Sequence, residues 1–116
     1  MRLARSAEFL AVKQGGRVHH GPLFTISILR RSDEDPARFG IITSKRVGNA
    51  VARSRARRIL REVIRRSAPS LSRGYWIVLI ARKALATSAL DDVRQEWLRL
   101  GKRASIFEQG KDLKQD

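Results

Sequence analysis

The run Ser44-Lys45-Arg46-Val47-Gly48-Asn49-Ala50-Val51-Ala52-Arg53-Ser54-Arg55-Ala56-Arg57-Arg58-Ile59-Leu60-Arg61-Glu62 carries the strongest periodic signal in the chain. Ala52, Ala56, Ile59, Leu60 and Val63 fall at i, i+4, i+7, i+8 and i+11, the spacing of one apolar stripe on an α-helix. Asn49 stands ahead of them with a side-chain oxygen suited to the first free N–H groups. Pro69 stops the helix near Arg66 or Ser67, because the residue before a proline is pushed out of helical geometry. Off the stripe the helix is cationic. Residues 45–66 hold Lys45, Arg46, Arg53, Arg55, Arg57, Arg58, Arg61, Arg65 and Arg66 against Glu62 alone, nine minus one or +8. Arg53, Arg57, Arg61 and Arg65 recur every four residues and climb one side. Like charges at that spacing destabilise an isolated helix by about 0.2–0.5 kcal/mol per pair. Solvated helix faces ordinarily mix signs. A polyanion is the partner that turns this repulsion into attraction.

The whole chain has the same bias. It has 116 residues, 25 Lys and Arg against 11 Asp and Glu, and a formal charge of +14. Arg outnumbers Lys 19 to 6. Its planar fork takes phosphate oxygens in pairs and stacks on bases, so nucleic acid ranks above an anionic membrane surface. The near-pure Arg ridge points to phosphate contacts and shape recognition rather than base reading, which leaves RNA and DNA both open at this level. The length fits one domain with one core. The absence of Cys excludes disulfides, thiolate zinc sites, iron–sulfur clusters and cysteine nucleophiles. No apolar stretch nears the ~20 residues of a membrane span, and Met1-Arg2-Leu3-Ala4-Arg5-Ser6 is followed by no long apolar signal core. The expectation is a soluble, cytoplasmic protein.

Outward from the basic helix, Ser6–Lys13 reads as a short helix ended by Gly15-Gly16. His19-His20-Gly21-Pro22 reads as a turn, with a further short strand near 16–20 as an option. Leu23–Leu29 is a strand with Phe24, Ile26 and Ile28 on one face, and Arg38–Thr43 is its returning hairpin partner. Tyr75–Ala81 is continuously apolar, as in a strand covered on both faces. Thr87-Ser88-Ala89-Leu90-Asp91 opens the last helix with a cap and an acidic first turn, and Leu90, Val93, Trp97 and Leu100 form its stripe. The class is α+β, an αβββαβα sandwich with a mixed sheet and its helices on one face. Residues 1–104 form one RNA-binding domain, and 105–116 a polar, flexible tail.

The Gly48-Asn49-Ala50-Val51 run, the basic helix after it, Glu8-Phe9 in the first helix and Ile80-Ala81-Arg82-Lys83 at the last strand together resemble the bacterial ribonuclease P protein subunit. The resemblance spans residues 2–103. It departs at Ser54, where the family has Asn, and at Lys13, where relatives often carry another aromatic. It implies a left-handed βαβ crossover, as also occurs in a ribosomal-protein domain, against a right-handed preference of about 98 per cent.

The resemblance also implies the function: the protein part of an endoribonuclease that removes the 5′ leader of precursor tRNA, with the chemistry carried by an RNA subunit and its Mg²⁺. Lys45, Arg46, Asn49, Arg53, Ser54, Arg55, Arg57, Arg58 and Arg61 would meet the catalytic RNA. Phe9 and Lys13 would meet the leader. Partners are the catalytic RNA and precursor tRNA, with no membrane, as a monomer in a 1:1 complex. The alternatives are a non-enzymatic, ribosomal-type RNA-binding module and a DNA-binding regulator.

The residues themselves agree with a protein without catalytic side chains. Asp33, Glu34 and Asp35 share one loop, without separated partners for acid–base work. His19 and His20 are adjacent, poor spacing for a shared metal. Some roles stay open at this level. Phe9 is core or a stacking platform, Asn49 a cap, an RNA contact or both, and Arg82-Lys83 surface charge or a secondary RNA contact. Gly48 points to a positive φ or a close RNA approach. Phe24, Ile26 and Ile28 favour the core over a cleft, and Trp76 and Trp97 read as core.

Overall fold

The apolar run 75–81 takes the place its composition demands. In the computed structural model, which describes Leu3 and residues 6–31 and 35–108, it is an inner strand of a four-stranded sheet. The elements are α1 (Ser6–Gly15), β1 (Arg17–His20), β2 (Phe24–Arg30), β3 (Arg38–Ile42), α2 (Ala50–Ser67), β4 (Tyr75–Ala81) and α3 (Leu90–Ala104). Short 3₁₀ segments lie at Lys45–Val47, Ala68–Ser70 and Lys83–Thr87. The sheet order is β1-β2-β4-β3. β2 pairs antiparallel with β1 and β4, and β3 runs parallel to β4.

Two expectations about strands are corrected here. β2 and β3 are not a hairpin, because β4 inserts between them. An apolar pattern says which face a strand buries but not which strand it pairs with. β4, the most apolar run, takes an inner position, and β3 is left with β4 as its one strand partner. His19 and His20 lie in β1 rather than in a turn, which begins at Gly21, whose N–H donates to the Phe24 carbonyl at 3.1 Å.

Strand alternation then divides the core. Phe24, Ile26, Ile28, Ile77, Leu79 and Ala81 face α2 and α3, where Ala56, Leu60, Val63, Ile64, Val93, Trp97 and Leu100 meet them. This settles the strand face Phe24–Ile28 as core. Trp97 is fully buried, and its indole N–H donates to Ser67 Oγ at 2.7 Å, which in turn donates to the Ile64 carbonyl. A buried indole without such an acceptor would be costly.

The expectation of helices on one face holds for α2 and α3, but α1 lies on the other. Leu3, Val12 and Val78 form a second small core there, with Phe9, Leu29 and Trp76 packed on it. The Ser27 hydroxyl donates to the Val12 carbonyl at 3.3 Å. The opposite face is also apolar at its α1 end, so a short helix can be held by it. Leu3 N–H donates to the Phe39 carbonyl at 2.8 Å, occupying part of the outer edge of β3.

Two terminal details differ from expectation. The cap foreseen at Thr87 or Ser88 is not made: both hydroxyls donate back to the Ala84 carbonyl, and α3 starts after Ala89 without a side-chain cap. Residues 105–108 are not tail. Ser105 ends α3 in a left-handed conformation, Ile106 is fully buried, and Phe107 sets its ring edge-on to Trp97. Ser72 N–H and Glu108 N–H donate to the carbonyls of Ile106 and Ser70. The apolar pair Ile106-Phe107 was the sequence signal for this. Residues 109–116 lie outside the described residues.

Candidate nucleic-acid interface

α2 is built where the stripe placed it. Asn49 Oδ1 accepts from Ala52 N–H at 2.9 Å, so the cap reading is met. Ahead of it, Ser44 caps the 45–47 turn by accepting from Arg46 N–H. Gly48 between the two has φ 143 and ψ −157, a region open in practice only to glycine. The chain therefore turns sharply from the cationic 45–47 segment into the cationic helix. Lys45, Arg46 and Asn49 are all exposed there.

The arginines fall into groups. Arg53 donates to the Gly48 carbonyl at 3.5 Å, and Arg57 to Thr43 Oγ1 at 2.7 Å and Ser54 Oγ at 3.2 Å. Ser54 is exposed, and Arg58 is exposed with no side-chain hydrogen bond or ion pair among the described residues. Arg61 is half-buried. Arg55 turns toward the 83–87 segment and donates to the carbonyls of Ala86 and Ser88.

Glu62 neutralises charge at the far end of the helix. It accepts from Arg65 at 2.8 Å and from Arg66 at 3.1 Å. The hydrogen bonds from Arg65 and then Arg66 hold its carboxyl below the usual carboxylate range. Its contribution to stability is therefore present at neutral pH and disappears as pH falls through the lowered value. The pair is solvent-exposed, so salt screens it. The climbing ridge of four is thus not uniform: Arg65 is compensated, while Lys45, Arg46, Arg53 and Arg58 have no acidic partner among the described residues.

A second surface lies between α1 and the uncovered part of the sheet. Val18, Ile42 and Ile80 point to the α1 face of the sheet and remain 48%, 37% and 38% exposed. His20 stands among them, its Nδ1 at 3.3 Å from Thr25 Oγ1. Phe9 borders this floor, half-buried, with its ring on Gly40 of β3. Lys13, one turn on, is exposed. Next to Phe9, Glu8 pairs with Arg38 at the start of β3 at 3.1 Å. Phe9 is thus both a packing residue and a wall of the cleft.

Gly40 escaped the sequence reading, although a glycine inside a strand signals a close approach. A Cβ there would stand 2.5 Å from Phe9 Cε1 and Cζ. Gly40→Ala should displace the Phe9 ring and cost about 1–3 kcal/mol, as overpacking does. Chemical denaturation of the variant, with Phe9 ring shifts followed by NMR, checks both.

His19 shows no ligand geometry. Burial and the nearby Arg17, Arg103 and His20 charges lower its pKa, so it is neutral at physiological pH. Among the described residues no three of His, Asp and Glu stand together as metal ligands. Asp33 and Glu34 lie outside the described residues. No helix among the described residues is long and apolar enough to cross a membrane.

Cap, glycine turn, basic helix and flanking cleft therefore occur together in one α+β frame. The ribonuclease P family profile matches residues 1–105. The chain belongs to the ribonuclease P protein family. The ribonuclease P protein component of Desulforapulum autotrophicum is 39% identical over 102 residues, 88% of this chain and 86% of its own. That of Brevibacillus brevis is 32% identical over 108 residues, covering 93% and 86%. The ribonuclease P protein from Thermotoga maritima superposes with a TM-score of 0.79 at 29% identity, over 89% of this chain and 96% of its own. Ribonuclease P protein components work with the ribonuclease P RNA in an endoribonuclease that processes tRNA. The match decides against the ribosomal-type module and the DNA regulator.

Proposed function

We propose that this chain docks the catalytic RNA of ribonuclease P through the 45–47 turn and the N-terminal half of α2, and holds the 5′ leader of precursor tRNA between α1 and the open part of the sheet. The observation that carries the reading is the run of cations from Lys45 to Arg58, without acidic partners among the described residues, set on a helix anchored by the apolar stripe Ala56, Leu60, Val63 and Ile64. Such a surface gains from phosphate in proportion to the counterions it releases. Lys83, exposed at the start of the 83–87 segment that packs beside the 45–47 turn, extends it, while Arg82, also exposed, donates to the Gly21 carbonyl.

The cleft suits a single strand. Phe9 offers an aromatic face for one base, worth about 1–3 kcal/mol in stacking. Lys13 offers charge to a phosphate, and Val18, Ile42 and Ile80 make a floor tolerant of any base. The protein supplies affinity and orientation. Mg²⁺, held mainly by the RNA subunit, would supply the activation of water and the stabilisation of the leaving oxygen. The complex is 1:1, cytoplasmic and without a membrane partner.

Reconstitution tests this. Mixed with a bacterial ribonuclease P RNA and precursor tRNA at low Mg²⁺, the protein should make leader cleavage dependent on its presence. Phe9→Ala should weaken a long-leader substrate by about tenfold, within the range of one lost stack, and leave mature tRNA binding unchanged. Equal losses for both ligands would place Phe9 in the core alone, and protein-independent cleavage would overturn the reading.

A further inference from the structure

Arg55 is the second arginine of Arg53-Ser54-Arg55, a position expected to meet RNA alongside Arg53. Its guanidinium is engaged elsewhere. Nη1 donates to the Ala86 carbonyl, and Nη2 to the Ser88 carbonyl at 3.0 Å. Both acceptors belong to the 3₁₀ segment Lys83–Thr87 and the residue that caps it. A fork fixed on two carbonyls keeps its charge but loses the freedom to turn toward a phosphate.

The segment depends on that fork. Its inner side is anchored by fully buried Leu85. Its remaining side-chain bonds are local, from Thr87 and Ser88 to Ala84. Ala86 packs on the core beside Leu85, and among the described residues Arg55 is the α2 side chain that hydrogen-bonds the Ala86 and Ser88 carbonyls. The segment also packs beside the 45–47 turn. Lys83 at its start is exposed, and its ammonium makes no hydrogen bond or ion pair among the described residues.

We propose that Arg55 is a positioning residue: it clamps the 83–87 segment to α2 so that Lys83 stands in one cationic surface with Lys45 and Arg46, and it makes no phosphate contact itself. The proposal rests on the reading of α2 as an RNA-docking helix. It divides the Arg53-x-Arg55 pair into one residue that faces RNA and one that shapes the protein.

A double-mutant cycle with hydrogen exchange tests it. Affinity for a bacterial ribonuclease P RNA is measured at fixed salt for Arg53→Gln, Arg55→Gln, Lys83→Gln and their pairs. Arg55→Gln should weaken binding about three- to tenfold. Combined with Lys83→Gln, it should weaken it no more than about twofold beyond the stronger single variant, because residues acting as a unit do not add. Arg53→Gln and Lys83→Gln should multiply. In the free protein, Arg55→Gln should speed amide exchange at Leu85 and Ser88, whose N–H groups donate within the segment. Arg53→Gln should not, and Arg55→Lys should recover part of the protection. Multiplicative losses for Arg55 and Lys83 with unchanged exchange would overturn the clamp and make Arg55 a direct contact. Undiminished binding in every variant, Arg53→Gln included, would instead overturn the docking reading, and the proposed role with it.

Discussion

Glu96→Ala should lower the unfolding free energy by about 3 kcal/mol, the range expected when buried donors lose a charged acceptor. Glu96 is 5% exposed, on the core side of α3. Its Oε2 accepts from Leu23 N–H at 2.8 Å and Phe24 N–H at 3.2 Å, and its Oε1 from Arg99 at 3.1 Å. The first two donors are the last residue of the turn between β1 and β2 and the first residue of β2. Removing the carboxylate leaves both N–H groups without a partner, which is why the loss exceeds that of an ordinary surface ion pair. Glu96→Gln keeps one acceptor oxygen and should cost roughly half as much. Urea unfolding of both variants measures the difference. Equal small losses would mean that water replaces the carboxylate. The turn also receives Arg82, whose backbone N–H donates to the Leu23 carbonyl and whose Nη1 donates to the Gly21 carbonyl. Loosening it should therefore disturb His20 and the cleft floor as well.

Glu96 shows what a sequence pattern hides. In Leu90, Val93, Trp97 and Leu100 the apolar stripe of α3 is plain, and Glu96 beside it reads as a solvated position. Its role comes from backbone donors more than seventy residues away in the chain. The same holds for Arg55 and Arg57. Their charge and helical spacing were legible, but the carbonyls of Ala86 and Ser88 and the hydroxyl of Thr43 that receive them were set only by tertiary packing. By contrast, Asn49, Gly48 and the stripe from Ala56 to Ile64 act locally, and each sits as its residue type requires. The β2–β3 pairing failed for a related reason. Alternation reports a strand's faces, whereas partner choice depends on which strand is apolar enough to lie inside. β1 was legible only as an optional short strand near 16–20, which the structure bears out, because four residues with two adjacent histidines carry almost no periodic signal. The cleft was legible through Phe9 and Lys13, but its floor was not. Val18, Ile42 and Ile80 come from β1, β3 and β4, whose order across the sheet the chain order conceals.

The largest functional effect should come from neutralising Arg46, Arg53 and Arg58 together. None has an acidic partner among the described residues. Converting all three to Gln removes charge without removing a packed ion pair, so the free protein should lose little stability. RNA association should respond in two measurable ways. The slope of log affinity against log salt should fall by about two to three units, near 0.9 for each lost phosphate contact on a duplex and less on single strands. Affinity at fixed moderate salt should fall by about 100-fold or more, since each charge-assisted contact is worth about 1.5–3 kcal/mol before compensation. A control at Arg65 separates field from contact. Arg65 is held by Glu62, so Arg65→Gln alters net charge by the same unit per site but should change the slope much less. Equal slopes for Arg65→Gln and for any one of the three would mean that only the long-range field of the +14 chain matters. Docking geometry predicts the opposite: the N-terminal half of α2 dominates, and charge at its far end counts for little.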